Sequence, residues 1–207
     1  MKVSILHPNI ELFATVMMIV ASNCLLGTKC VAAPHVTRVV LHVYFKSADL
    51  GETNQMAGRE ISAQQYLGHR FRVRETVQVK AVGGHFAFSS SFFAAIVRLP
   101  NMSSFPKGAP FTSDELVAYT VCSIGSDPSQ DYVFPLSVTL RPGYYALVFG
   151  AGLYGTGFYG PVMPGNNIGV IRPSYIQWNG SQWEDPGIYG VNPYRFVVYD
   201  TINEVVR

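Results

Sequence analysis

Residues 68–86, GHRFRVRETVQVKAVGGHF, decide the fold class of this chain. Apolar Phe71 and Val73 alternate with three arginines in the first half of the stretch, and Val77 and Val79 alternate with polar residues in the second half. A period of two is the pattern of a strand with one buried and one solvated face, and such strands are typical of antiparallel sheets. The stretch therefore predicts two strands that belong to antiparallel sheets. The arginines are expected on a solvated face, with an anion-binding strip as the alternative.

Short runs of β-branched and aromatic residues, separated by Gly, Pro, Asn and Asp, continue through the rest of the chain, which is typical of all-β proteins. They predict strands over residues 35–45, 69–75, 77–85, 92–99, 116–124, 132–140, 144–150, 174–178 and 194–200. The first of these strands is apolar on both faces, which predicts a central strand. Only residues 49–66 are expected to contain a short turn of helix.

Two turns between the predicted strands are well defined by their residue types. In Arg141-Pro142-Gly143 the proline sets φ and the glycine tolerates a positive φ. Asn179-Gly180, between two tryptophans, is a hairpin signal. Strands and turns together predict an all-β protein, an antiparallel two-layer β-sandwich of jelly-roll-like form, with a closed barrel as the alternative.

The first 33 residues are predicted to be a signal peptide and not part of the fold. Lys2 precedes an apolar run over residues 12–26, LFATVMMIVASNCLL, and small residues follow at Val31-Ala32-Ala33. This run is shorter than the roughly 20 residues that span a bilayer; a retained membrane anchor is the alternative. The prediction divides the chain into a signal peptide, 1–33, and a single β-sandwich domain, 34–207. That domain is expected to be secreted or extracytoplasmic, with no membrane contact after signal cleavage.

Composition excludes several classes of protein. Charged residues make up 14% of the chain and hydrophobic residues 48%, which excludes a disordered protein. The formal net charge of +2 provides no broad field for nucleic acid or an anionic membrane, so neither is an expected partner. Cys122 is the one cysteine after residue 33, which excludes a disulfide within the domain and a cysteine-based zinc site. It is expected to be a buried, inert thiol.

Three elements of the sequence resemble a known group of proteins. Residues 66–73, YLGHRFRV, are followed by 77–84, VQVKAVGG, and later by 135–145, PLSVTLRPGYY. In this order they are similar to the small secreted bacterial β-sandwich domains found in PEP-CTERM-type exported proteins. The resemblance covers roughly residues 64–200 and implies the fold and export, but no particular activity. Residues 200–207 lack the apolar anchor and basic tail of a C-terminal sorting signal, so sorting through this end is not expected.

The sequence contains no catalytic motif that its context supports. It has no G-x-S-x-G elbow, none of its histidines belongs to a zinc-binding pair, and His85 is interpreted as a turn histidine. Residues 150–155, GAGLYG, match a dinucleotide fingerprint, but the residues that follow cannot begin the helix that would hold a pyrophosphate. We therefore expect no catalytic residue, no cofactor and no metal. Two alternatives stay open, a hydrolase with an acidic pair such as Asp131 and Glu184, and a structural calcium at Asp127 and Asp131.

Aromatic residues are frequent among the glycines, prolines and asparagines between residues 154 and 194. Tyrosine and tryptophan combine an apolar face with a polar tip, which suits stacking on sugar rings. The alternative is that these rings cover the ends of the sandwich. The candidate ligand-binding residues are Trp178, Trp183, Tyr159 and Tyr154 for stacking, with Asn179 and Gln182 for hydrogen bonds.

These observations favour a secreted, non-catalytic β-sandwich that acts as a binding or extracellular-matrix module. Carbohydrate is the favoured ligand class, and a glycan or another cell-surface polymer is the expected partner. The first alternative is a structural or surface scaffold that contacts other proteins, although the sequence identifies no protein partner. A glycoside-active hydrolase ranks last.

Overall fold

The computed structural model describes residues 36–48, 58–125, 128–165, 174–185 and 194–206. The predicted signal peptide and Asp127 lie outside these residues. The described residues form twelve β-strands, and none of them lies in a helix. The strands are β1 (Val36–Lys46), β2 (Arg59–Ser62), β3 (Tyr66–Val73), β4 (Val77–Phe86), β5 (Ser90–Leu99), β6 (Leu116–Ile124), β7 (Gln130–Leu140), β8 (Gly143–Gly150), β9 (Tyr159–Met163), β10 (Tyr175–Trp178), β11 (Trp183–Glu184) and β12 (Phe196–Val206).

The strands form two antiparallel sheets and one small ribbon. One sheet has four strands in the order β1-β12-β4-β7, and the other has six in the order β11-β10-β3-β8-β5-β6. β2 pairs with β9 in the ribbon. The chain passes from one sheet to the other at β3–β4, β4–β5, β6–β7 and β7–β8, as it does in jelly-roll-like sandwiches. The predicted all-β, antiparallel two-layer β-sandwich is confirmed.

Phenylalanines from both sheets fill the space between them. Phe86, Phe134 and Phe196 come from the four-stranded sheet, and Phe92 and Phe149 come from the six-stranded sheet. The ring centres of Phe86 and Phe149 are 5.0 Å apart, and those of Phe149 and Phe196 are 5.1 Å apart. Because side chains alternate between the two faces of a strand, the inward rings of the two layers interdigitate. The main hydrophobic core therefore lies between the sheets.

The six-stranded sheet is also buried on its outer face. A second hydrophobic cluster there includes Phe93 and Val97 of β5, Val148 of β8 and Ile176 of β10. Side chains from residues 100–115, the covering segment between β5 and β6, pack against this cluster. Burial on both faces explains why β5 reads SSFFAAIVRL, with a continuous apolar run and no alternation.

Arg70 fixes the covering segment to the sheet. Its Nε donates to the carbonyl oxygen of Ser104 over 2.9 Å, and its guanidinium lies 4.6 Å from the ring centre of Phe105. Its Nη2 lies 3.6 Å from a carboxylate oxygen of Asp185. Arg70 is buried. The predicted solvated face of the arginines is therefore wrong at this position, because the covering segment lies over it.

All nine predicted strands are present, with ends that differ by up to three residues, except that β12 continues six residues beyond its predicted end. The sequence pattern does not predict β2, β9 or β11. β1 lies at the edge of its sheet and not at the centre, because β12 occupies the position between β1 and β4. Residues 58–66 form β2, a turn and the start of β3, so the predicted turn of helix is wrong there. Residues 49–57 lie outside the described residues.

The chain divides into two units, one made of residues 1–41 with 201–207 and the other of residues 42–200. In the first unit the structure describes the beginning of β1 and the end of β12. The second unit carries both hydrophobic clusters and every candidate site residue. Within the described parts of the chain, no helix is long and apolar enough to cross a membrane.

Candidate functional site

Trp178 and Trp183 face each other across the hairpin of β10 and β11. They are buried, with exposed fractions of 5% and 8%. Both rings belong to the second hydrophobic cluster, where they contact Tyr66. The indole N–H of Trp183 donates to the carbonyl oxygen of Pro110 in the covering segment. The prediction that these two rings are exposed stacking groups is corrected, because the covering segment and Tyr66 enclose them.

Asn179 and Gln182 form the turn of this hairpin. The side-chain oxygen of Asn179 accepts hydrogen bonds from the backbone N–H groups of Ser181 and Gln182, at 3.1 and 3.0 Å. Gly180 has a φ of +90°, in the region that favours glycine. The predicted hairpin is confirmed. The Asn179 side chain is thus engaged in its own turn, whereas the Gln182 side chain is exposed.

Tyr154 is half-buried and stacks on Tyr119 of β6. Their ring centres are 3.8 Å apart and their planes differ by 15°, so one face of the Tyr154 ring is occupied. The ring of Phe93 meets Tyr154 edge to face, with ring centres 5.2 Å apart. Burial, reinforced by the neighbouring Tyr119, raises the pKa of the Tyr154 hydroxyl above its ordinary value. Tyr154 therefore packs against the second cluster, with Tyr119 on one face of its ring.

Tyr159 is the predicted stacking residue that the structure leaves at the surface. Its exposed fraction is 66%, and those of Phe158 and Phe88 are 50% and 54%. The ring centres of Phe158 and Tyr159 are 4.9 Å apart. Phe88, Phe158 and Tyr159 are here named the aromatic patch: the rings of Phe158 and Tyr159 are in contact, and Phe88 follows Ala87, which pairs with Val162 of β9. Exposed apolar groups gathered in one region mark binding surfaces on soluble domains.

Hydrogen bonds fix the backbone under the aromatic patch. Ala87 and Val162 exchange backbone hydrogen bonds of 2.9 and 3.0 Å, so the turn that carries Phe88 lies against β9. The hydroxyl of Ser90 donates to the carbonyl oxygen of Tyr159 over 2.9 Å. A surface held in place by such bonds needs little ordering when a ligand binds, which favours affinity.

Phe88 adopts a strained backbone conformation. Its φ is +71°, in the left-handed region, which costs a residue with a side chain about 1–2 kcal/mol. Its ring is more than half exposed, so burial does little to offset this cost. Strained residues tend to cluster at binding and catalytic sites. An exposed ring on a strained backbone therefore supports a role for Phe88 in binding.

The structure does not bring the predicted acidic pair together. Asp131 lies in β7, which is beside β6, whereas Glu184 lies in β11, at the opposite edge of the six-stranded sheet from β6. Glu184 accepts a hydrogen bond from Asn179, and Asp131 is bonded to His85 and Arg195. A glycosidase that uses this pair is thereby excluded. Among the residues that the structure describes, no group of three or more His, Cys, Asp or Glu could hold a metal ion.

His85 has surroundings that the sequence did not predict. It lies inside β4 and not in a turn, and it is buried. Its two ring nitrogens are hydrogen-bonded to Asp131 and Ser129, which are 46 and 44 positions away in the chain. No short sequence motif can mark a group whose members are so far apart. The sequence also gives no signal for Phe88, while Phe158 lies inside the aromatic-rich segment and could have been found there.

A shallow groove of about 420 Å³ lies between β6 and β7. It is lined by residues 116–120 of β6 and 135–137 of β7. Both strands are edges of their sheets, and each carries an exposed valine, Val121 and Val133. Open strand edges can pair with another extended chain. The groove is therefore a second candidate binding surface.

No protein-family model matches the chain, and no curated protein sequence matches it either. The resemblance to exported bacterial β-sandwich domains stays a prediction. Function is therefore inferred from the geometry of the chain's own surfaces.

Proposed function

We propose that this protein is a secreted β-sandwich that binds carbohydrate through the aromatic patch. The observation that supports the proposal is the joint exposure of Phe88, Phe158 and Tyr159, each at least half exposed, on backbone fixed by hydrogen bonds. Flat aromatic faces with the polar tip of one tyrosine suit the apolar faces and hydroxyl groups of sugar rings. The proposal of secretion comes from the first 33 residues.

The charge around the aromatic patch supports a neutral ligand. Residues 87–97 and 150–165, which carry all three rings, contain no Asp, Glu, Lys, Arg or His. The strand β2, which pairs with β9, adds one residue of each sign, Arg59 and Glu60, so no charge of one sign predominates. A phosphate-rich polymer or an anionic membrane is recognised by clustered Lys and Arg, and a cationic partner by carboxylates. A neutral polysaccharide needs neither. We therefore propose neutral glycans as the ligand class, and we move the stacking role from Trp178 and Trp183 to the aromatic patch.

Affinity gel electrophoresis through neutral polysaccharides, such as β-glucan, xylan and galactomannan, tests the proposal. We expect at least one polymer to retard the protein. Phe158→Ala and Tyr159→Ala should each weaken retention roughly tenfold, as expected for rings that dominate a contact. Tyr119→Ala is the matched control, since Tyr119 is a similarly exposed aromatic residue on β6. Unchanged migration of the folded wild-type protein in every polymer would refute the proposal, as would equal effects of Tyr119→Ala.

The open edges of β6 and β7 support a second candidate function, a scaffold that contacts other proteins. Val121 and Val133 are exposed on these edges, and charged side chains that commonly protect strand edges are absent from the described residues 116–124. Sedimentation velocity over a wide range of protein concentration tests this function. Assembly that Val121→Lys abolishes, without retention on any glycan, would favour the scaffold over the carbohydrate-binding protein.

A further inference from the structure

A polar cluster lies where β4, β7 and the start of β12 meet. β4 and β7 pair with His85 opposite Asp131. Ser129 precedes β7 by one residue, and Arg195 precedes β12 by one residue. The register is continuous from Ala81 to Phe86, so the cross-strand position of His85 and Asp131 is fixed by the pairing of β4 with β7.

The histidine ring is held between a hydroxyl and a carboxylate. Nδ1 of His85 lies 2.8 Å from Oδ1 of Asp131, and Nε2 lies 2.9 Å from Oγ of Ser129. Nε of Arg195 donates to the other carboxylate oxygen of Asp131 over 2.9 Å. The guanidinium of Arg195 also donates to the carbonyl oxygen of Ala48. Both carboxylate oxygens are thus engaged, which fixes the orientation of the acid and through it the orientation of the ring.

The charge state of Asp131 determines where the histidine proton lies. Burial works to raise the pKa of the Asp131 carboxyl, but the hydrogen bond from His85 and the charge of Arg195 together hold the pKa below its ordinary value. An ionised carboxylate can only accept hydrogen bonds, so Nδ1 of His85 carries the proton. In the neutral ring Nε2 is then the acceptor, and the Ser129 hydroxyl donates to it.

Exposure differs along the cluster: the His85 ring and the Arg195 side chain are shielded, whereas the Asp131 side chain is 41% exposed. The His85 side chain is 8% exposed and the Arg195 side chain 10% exposed, so the ring is shielded from water. Ser129 is half-buried, and its neighbours Pro128 and Gln130 are exposed, so Ser129 lies at the protein surface. A hydroxyl bonded to a base that a third group orients is the arrangement that activates serine for attack.

We propose that Ser129 is the nucleophile of an acyl-transfer site that hydrolyses carboxylic esters, with His85 as its general base. Asp131 and Arg195 are positioning residues, because they act through the histidine. This inference departs from the expectation of a non-catalytic domain, and it does not depend on the aromatic patch.

The reaction follows from the proton positions. Oγ of Ser129 attacks the ester carbonyl carbon as its proton passes to Nε2 of His85. The bond from that carbon to the alcohol oxygen then breaks, and the departing alcohol takes the proton from His85. A water molecule next gives a proton to His85 as its oxygen attacks the acyl group on Ser129, and the carboxylic acid leaves as Ser129 recovers its proton. One ester and one water give one acid and one alcohol, and nothing is oxidised or reduced.

The test uses the protein with two probes, a fluorophosphonate that labels activated serines and p-nitrophenyl acetate. We expect peptide mapping to place the fluorophosphonate on Ser129, and p-nitrophenol to be released from the ester in a Ser129-dependent reaction. Ser129→Ala should abolish both signals. Asp131→Asn should slow labelling by about 100-fold or more, since general-base catalysis contributes factors of this size, while circular dichroism shows that the fold is kept.

Ser137→Ala is the matched control, because Ser137 is an exposed serine on the same strand, β7. It should leave labelling and ester hydrolysis unchanged. The proposal is overturned if the folded wild-type protein carries no label on Ser129, or if Ser129→Ala still releases p-nitrophenol at the wild-type rate. It is also overturned if folded Asp131→Asn is labelled as fast as the wild-type protein, because the cluster would then serve only to join β4, β7 and β12.

Discussion

Replacement of Glu115 by glutamine should destabilise the covering segment, although the two side chains have nearly the same size and shape. Glu115 is 7% exposed, and its carboxylate accepts four hydrogen bonds. The donors are the backbone N–H groups of Lys107, Gly108 and Thr112 and the hydroxyl of Thr112, over 2.8, 3.3, 3.1 and 3.0 Å. The carboxylate thus closes the loop that encloses the two tryptophans.

The magnitude follows from the bonds that an amide cannot make. In Glu115→Gln the new side chain could keep its oxygen on the three donors at Oε2, but its NH₂ group would then meet the N–H of Lys107, so one bond is lost. A hydrogen bond to a charged group contributes about 1.5–3 kcal/mol, and the remaining three lose their charge assistance. We expect a total loss of about 3 kcal/mol in the free energy of unfolding. For a protein of this size that lowers Tm by about 6–12 °C.

Urea titrations followed by tryptophan emission measure this change, because Trp183 is bonded to Pro110 in the same segment. Glu75→Gln is the control, since Glu75 is exposed between β3 and β4 and undergoes the same chemical change. It should alter the free energy of unfolding by less than about 0.5 kcal/mol. If Glu115→Gln were as mild as Glu75→Gln, the covering segment would not be held by this carboxylate and the explanation would be wrong.

Three further predictions concern the core and the polar cluster. A Cβ on Gly150 would overlap the rings of Phe93 and Tyr66. Gly150→Ala should therefore lower the free energy of unfolding, measured by urea titration, by about 1–3 kcal/mol. Gly157→Ala, where no such overlap exists, is the control and should change the free energy of unfolding much less. Burial raises the pKa of the Cys122 thiol to about 12. A disulfide reagent at about pH 8 should therefore modify Cys122 only after the protein unfolds. Rapid modification of the folded protein would contradict the burial of this thiol. The lowered pKa of Asp131 means that the ionised carboxylate stabilises the fold above its ordinary pKa of 3.8 and loses this effect as the pH falls toward the lowered value. The difference in unfolding free energy between wild type and Asp131→Asn should therefore shrink from about pH 6 to about pH 2, and a constant difference would exclude this origin.

The longer strands could be predicted because their signal is local. In β3 and β4 the alternation of apolar and polar residues arises from the pleat itself, and the turn residues mark where each strand ends. β2, β9 and β11 are short and partly rich in glycine or proline, and they exist because of pairing with distant partners. Local patterns carry little information about such strands.

The position of the two tryptophans could not be predicted from their own neighbourhood. Whether Trp178 and Trp183 are exposed depends on the covering segment, which is supplied from a distant part of the chain. The sequence does contain an indirect signal, the continuous apolar run of β5, because a strand that is buried on both faces needs a second layer of cover. Aromatic residues near that layer are then more often core than ligand-binding groups.

The polar cluster could not be predicted from the sequence, for a different reason. His85 and Asp131 meet only through the register of β4 and β7, and a shift of that register by one residue would turn one of them to the opposite face. Phe88 is similar, since its positive φ is imposed by the turn between β4 and β5 and not by its residue type.

A glycan array with the wild-type protein and the Phe158→Ala/Tyr159→Ala variant is the decisive test of carbohydrate binding, with tryptophan emission followed for each glycan that binds. We expect the wild-type protein to bind neutral glycans and the variant to lose that binding. We also expect an unchanged emission maximum, because Trp178 and Trp183 are buried away from the ligand. An array without binding would show that the aromatic patch is not a carbohydrate site, as would binding that shifts tryptophan emission and survives in the variant.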